Sequence, residues 1–194
     1  MSATRRRSRL WPTRQWLVLE SFTSFATTRG SFGGGRTWEL SLEDWDAVLR
    51  VNLLGVIHGV HSFVPLLLAS GEEGHVINVA SMAAVVPVPG ISPYNVSKHG
   101  VLALSEVLHA ELLETGAPVG VSIVMPGRVR TRLGGPKDSA ADSELPVSVE
   151  PGVLEPADVA RHVLDAMREG RLYVFTHAER VDDARSRFAR ITEP

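Results

Sequence analysis

Between His75 and Phe175 three short apolar runs alternate with two segments of helical character. That alternation constrains the fold more than any other feature of the chain. His75-Val76-Ile77-Asn78-Val79-Ala80 is a β-branched run, Val119–Met125 is a second, and Leu172-Tyr173-Val174-Phe175 is a third. Near-continuous apolar runs of this length read as strands buried on both faces. The first intervening segment opens at Ser92-Pro93, an N-cap followed by a first helical residue. It runs to about Thr115, with Gly116 closing it and Pro118 beyond. The second helix starts at Glu155-Pro156-Ala157-Asp158 and ends near Gly170. Strand–helix–strand–helix–strand order joins parallel strands by right-handed crossovers, so the expected fold class is α/β with an open parallel sheet.

Upstream, Ser41-Leu42-Glu43-Asp44 fits a helix start with a capping box. Leu42, Trp45, Leu49, Val56, Val60, Phe63 and Leu67 recur at three- to four-residue steps, with one seven-residue gap across Asn52. A single helix over 41–69, bent at Pro65, is expected. Asn52 stands in its middle, where propensity disfavours it. Gly71-Glu72-Glu73-Gly74 is a turn, Met82–Ile91 an apolar loop, and Gly134–Gly152 a mobile loop rich in Gly, Pro, Ser and acids. A last helix is expected over Asp182–Ile191. No repeats occur.

With 44% apolar and 22% charged residues in 194, the chain has the makeup of one globular domain with a core. A net charge of −2 gives no signal for nucleic acid or a membrane surface. No run reaches the roughly 18–20 apolar residues of a membrane span. There is no cysteine, hence no disulfide framework and no thiol nucleophile; a cytoplasmic setting is expected. Charge is uneven. Residues 1–37 hold seven Arg and one acid, a net of +6, so the rest must hold −8 to give −2 overall. The same segment has eleven Ser or Thr and no sustained apolar period. Two regions are therefore expected: an atypical Arg/Ser-rich segment, 1–37, and a domain over 38–194.

Two residue types are rare here: two Tyr and two Lys, against eighteen Arg. One of each stands four apart, at Tyr94 and Lys98 in Tyr94-Asn95-Val96-Ser97-Lys98. That spacing is one helical turn, so both side chains share a face. Lys is a compact point charge beside a phenol, which Arg is not. Ser81 ends the first strand and Pro126-Gly127 ends the second; ligands in open α/β sheets bind at those carboxyl ends. A phenol with a pKa near 10 is a weak base at pH 7, and lowering it by roughly three units takes about 4 kcal/mol. The ammonium one turn away supplies part of that, and a cationic ring more. Ser81 can hydrogen-bond a substrate oxygen. The set suits proton transfer at an alcohol or carbonyl oxygen, coupled to hydride transfer at its carbon. Blander readings stand beside this one. Tyr94 and Lys98 can be a surface pair, Ser81 a strand-end cap, Asn52 a buried polar group on backbone, and Thr131 a helix cap. His58 and His61 lack a carboxylate partner, so no metal site is expected. Tyr173 reads as core, and Arg128, Arg130 and Arg132 as solvated charge.

Val51-Asn52-Leu53, Asn78-Val79-Ala80-Ser81, Tyr94 through Lys98, and Pro126-Gly127-Arg128-Val129-Arg130-Thr131 together resemble the short-chain dehydrogenase/reductase family. The resemblance covers about Trp38 to Phe175. It implies a Rossmann-like, doubly wound parallel sheet with helices on both faces, of which this chain holds the C-terminal half. It implies NAD or NADP and a small alcohol or ketone as partners. Tyr94 would be the acid/base and Ser81 the substrate-orienting hydroxyl. Lys98 would hold the nicotinamide ribose and lower the Tyr94 pKa, and Asn52 would anchor a water in a proton relay. Tyr94, Lys98, Pro126, Gly127, Val129 and Thr131 would border the cofactor. A homodimer or homotetramer through helices 41–69 and 93–115 is implied too.

The family's first half supplies a Gly-rich turn that cradles pyrophosphate at a helix N-terminus. Gly30-Ser31-Phe32-Gly33-Gly34-Gly35 lacks that pattern and sits too near the Ser41 helix. Trp16-Leu17-Val18-Leu19 is the one strand candidate before it. A truncated or frame-shifted start is the leading expectation for 1–37, with a transit-type leader or a divergent substitute as alternatives. The Val76–Ala80 strand would then have an open apolar edge. The rival functional reading is a catalytically incompetent fragment that at most dimerises.

Overall fold

The computed structural model describes residues 23–27 (backbone only), 34–131 and 152–193. The expected strand at 16–19 and nearly all of the 134–152 loop fall outside them. Within them the chain forms β1 (Thr23–Thr27), α1 (Leu42–Leu49), a π-helical turn (Arg50–Leu54), α2 (Gly55–Ser70), β2 (Gly74–Val79), α3 (Ser92–Glu114), β3 (Val119–Met125), β4 (Arg128–Val129), β5 (Val153–Leu154), α4 (Pro156–Glu169), β6 (Tyr173–Phe175) and α5 (Val181–Thr192).

The main sheet has the order β1-β2-β3-β6 and every pairing is parallel. Side chains alternate across a strand, and each face has its own core. Val121, Ile123 and Met125 of β3, with Val76 of β2, pack against Val56, Val64 and Leu67 of α2 and Val101, Leu108 and Leu112 of α3. Ile77 and Val124 point the other way, against Val159, Val163, Ala166 and Met167 of α4 and Val174 of β6. Helices therefore cover both faces, as the run pattern implies.

Three expectations are corrected. The β2 edge is not open. Thr23–Thr27 pairs along its whole length, Thr23 opposite Gly74 and Thr27 opposite Asn78. The sheet thus takes a strand from the segment that composition sets apart. Next, the 42–70 helix is interrupted at Asn52, where Arg50–Leu54 widens into a π turn, while Pro65 lies within α2. Such single wide turns within α-helices are frequent at functional sites. This one packs against α3 at Gly100, where a Cβ would come 2.9 Å from Leu53 Cδ1. Ser41 and Asp44 do form the predicted capping box. Finally, Ser92 does not cap α3: the N-cap is Ile91, with no side-chain bond, and the Ser92 hydroxyl meets that of Thr37 instead.

Candidate active site

The carboxyl ends of β2 and β3 are stitched together. Ala80 N–H donates to Val124 O at 2.8 Å, and Met82 N–H to Pro126 O at 2.9 Å. Ser81 lies between those two bonds and caps a short 3-10 turn, its hydroxyl accepting from Ala83 N–H at 3.1 Å. This brings Ser81 and the Pro126-Gly127 turn to one place, although 45 residues separate Ser81 from Pro126. The loop after Ser81 returns at Ile91 to start α3, which sets Tyr94 beside Ser81.

Ser81, Tyr94 and Lys98 form one buried cluster, 9%, 8% and 4% exposed. The Ser81 hydroxyl hydrogen-bonds the Tyr94 phenol. Lys98 Nζ donates to Val79 O at 2.9 Å and lies 5.7 Å from the Tyr94 ring centre. Asn52, fully buried, joins one step back: its Nδ2 donates to Ser97 Oγ at 3.1 Å, and Ser97 Oγ donates to Tyr94 O at 2.7 Å. The π turn thus aims an amide at the first turn of α3.

The electrostatics differ from the expected picture. Burial pushes the Tyr94 pKa above 10, and the Ser81 hydrogen bond offsets only part of that. Burial also lowers Lys98 to about 8, because a desolvated ammonium disfavours its charge. Lys98 therefore does not bring Tyr94 down here; desolvation of the phenolate dominates. At neutral pH the site presents a protonated phenol beside a Lys that still carries most of its charge.

Of the remaining predicted residues, Pro126 and Gly127 end β3. Val129 lies in β4, which pairs parallel with β5, and exposed Thr131 follows it with no described helix to cap. Arg130 is not simply solvated, since its Nε sits 2.6 Å from Glu155 Oε1 with the side chain 22% exposed. Tyr173 is not core; it is half exposed and its hydroxyl donates to Glu106 Oε1 at 2.8 Å. Among the described residues no cluster of His and acids suits a metal. Gly34 and Gly35 lie against the apolar loop at 82–91, Gly35 N–H donating to Gly90 O at 2.8 Å.

Sequence reasoning missed three residues. Ser97 links Asn52 to α3 and is fully buried. Asn95 clasps the apolar loop with both amide atoms, accepting from Val88 N–H at 3.2 Å and donating to Val88 O at 2.7 Å. His177, buried after β6, receives the Gly127 N–H at 3.0 Å. Its place just past a strand's carboxyl end was the available signal.

An open parallel sheet with a Ser/Tyr/Lys cluster at its carboxyl edge defines a dinucleotide-type α/β protein. Residues 28–142 match the short chain dehydrogenase family, and the chain belongs to it. The 1-deoxy-11-beta-hydroxypentalenate dehydrogenase of Streptomyces avermitilis is 36% identical over 146 residues, 73% of this chain and 50% of that protein. The chain spans about half the length of these curated relatives. Among solved structures, a short chain dehydrogenase/reductase of Burkholderia phymatum in complex with NAD superposes with a TM-score of 0.74 at 34% identity, covering 84% of this chain and 64% of that one. A short chain dehydrogenase of Burkholderia cenocepacia in complex with NADP gives 0.66 at 26% identity, covering 85% and 65%.

Proposed function

We propose that the chain carries the catalytic half of an NAD- or NADP-dependent oxidoreductase that interconverts an alcohol and a carbonyl. The observation that carries this reading is the Ser81–Tyr94 hydrogen bond with Lys98 one helical turn away, all three buried at the sheet's carboxyl edge. The donor set fits the cofactor's sugar. Lys98 has three N–H donors and spends one on Val79 O, which suits ribose hydroxyls as further acceptors. A bound nicotinamide supplies or accepts the hydride at the substrate carbon. Ser81 orients the substrate oxygen by hydrogen bond. Tyr94, protonated by virtue of its raised pKa, donates the proton to that oxygen when a carbonyl is reduced, and takes it back in the reverse sense. Lys98 holds the ribose side. Asn52, through Ser97, fixes the start of α3 and so the phenol's position, and it would anchor the relay water. Pro126, Gly127, Val129 and Thr131 form the cofactor-side border.

Residues 38–194 are taken as the domain, with Thr23–Thr27 lending a strand across the compositional boundary. The setting is cytoplasmic. A second copy covers the exposed apolar residues of α2 and α3.

Tyr94→Phe tests the chemistry. It keeps the ring and removes the transferable proton, so turnover with NADH or NADPH and a panel of ketones should fall by roughly 10²–10⁴, with cofactor affinity nearly unchanged. Unchanged turnover would sink the mechanism.

A further inference from the structure

His177 follows β6 and is 4% exposed. Gly127 N–H donates to its Nδ1 at 3.0 Å, and its Nε2 faces Gly152 O at 3.2 Å. A backbone N–H only donates and a carbonyl only accepts. One species satisfies both bonds: the neutral imidazole with its hydrogen on Nε2. The Thr176 hydroxyl, 2.8 Å from Nδ1, then donates to that same nitrogen. Contact with the turn is tight, since a Cβ on Gly127 would stand 2.9 Å from the His177 ring. Next to it, Arg128 pairs with Val153 and Val129 with Leu154. His177 therefore braces the place where 127–129 and 152–154 run side by side.

We propose that His177 is a positioning residue for the cofactor site. Its neutral ring fixes the Gly127 amide on one side and Gly152 on the other, and so sets the wall that borders the nicotinamide. The proposal rests on the cofactor reading above. His177 acts through the Gly127 backbone and has no part in proton transfer.

Two near-isosteric variants separate its bonds. His177→Asn keeps an acceptor where Nδ1 stands and loses the donor toward Gly152. His177→Gln places its amide where Nε2 stands and loses the acceptor for Gly127. The readouts, on the full chain, are amide hydrogen exchange at Gly127 and NADH titration followed by nicotinamide fluorescence. In the Gln variant, Gly127 exchange should quicken about tenfold, the worth of one buried hydrogen bond, and NADH affinity should weaken by a similar factor. The Asn variant should stay within about twofold of wild type in both. Equal Gly127 exchange in the two variants would overturn the clamp. Faster exchange with unaltered NADH affinity would overturn the positioning role. A wild type that binds no NADH defeats the cofactor reading instead, and the ranking of Gly127 exchange still decides the clamp.

Discussion

Lys98 is the residue at which function and stability conflict. Its ammonium is almost wholly buried, with no carboxylate partner among the described residues, and desolvation brings it to about 8 from 10.5. The sign of the pH dependence follows. Below pH 8 both folded and unfolded chains carry the proton, and the folded state bears the desolvation penalty in full. Between about 8 and 10.5 the unfolded chain binds more protons, so stability rises with pH. Tyr94, raised above 10, works against this only beyond pH 10. Urea unfolding at pH 7.5 and 9.5 should show wild type gaining on the order of 2 kcal/mol, at 1.36 per unit of pKa shift, relative to Lys98→Met, in which that gain is absent. Equal pH dependence in the two proteins would mean that Lys98 is not held charged in a desolvated site. The Met variant should also be no less stable at neutral pH while losing cofactor binding, the usual trade at a strained site. At this scale the sequence was readable where the signal is local. Tyr94 and Lys98 announce themselves by one-turn spacing and Ser81 by standing at a strand end. Ser97 and His177 act on partners 45 and 50 positions away, and no local pattern reports such contacts.

Among the elements, β2, β3, β6 and the helices between them follow from apolar runs bounded by Gly and Pro, and each lies within a few residues of its expected place. Two features did not show. The π turn at Arg50–Leu54 depends on Asn52 reaching Ser97 and on Leu53 meeting Gly100, which are tertiary contacts. Strand β1 was hidden because Thr23-Ser24-Phe25-Ala26-Thr27 has little apolar character; its pairing comes from the exposed ladder of β2. That dependence is testable. A variant lacking residues 1–33 removes β1 and uncovers the backbone edge of β2, a row of unpaired N–H and C=O groups that templates association. Light scattering on this variant should show aggregation at concentrations where the full chain stays monodisperse. A monodisperse deletion variant would show that β1 does not protect the sheet.

For the whole molecule the open question is what covers the 42–70 helix. No unbroken apolar run in it reaches the length of a membrane span, but the helix as a whole is long and apolar enough to span a membrane by length and composition, and only 22% of its most apolar stretch is buried. Val48, Val56, Val64 and Leu67 face the core, while Leu54, Ile57, Leu66 and Leu68 are exposed, as are Val96, Val107 and Leu113 on α3. Isolated exposed apolar residues need no explanation. Seven on two helices that both pack on one sheet face are better suited to an interface. The buried side of the helix is committed to that sheet, so leaving it for lipid would strip α2 from the Val76–Val121 core. A second copy of the chain meets the same need with the fold intact, in a symmetric pairing of like surfaces. Size-exclusion chromatography with light scattering should therefore give a multiple of the 21.0 kDa chain mass. Leu66→Lys combined with Val107→Lys should shift it toward one chain, because charges placed in an apolar contact stay unpaired. A wild type at the mass of one chain removes the dimer. If that monomer also floats with neutral lipid vesicles, the membrane takes the second copy's place.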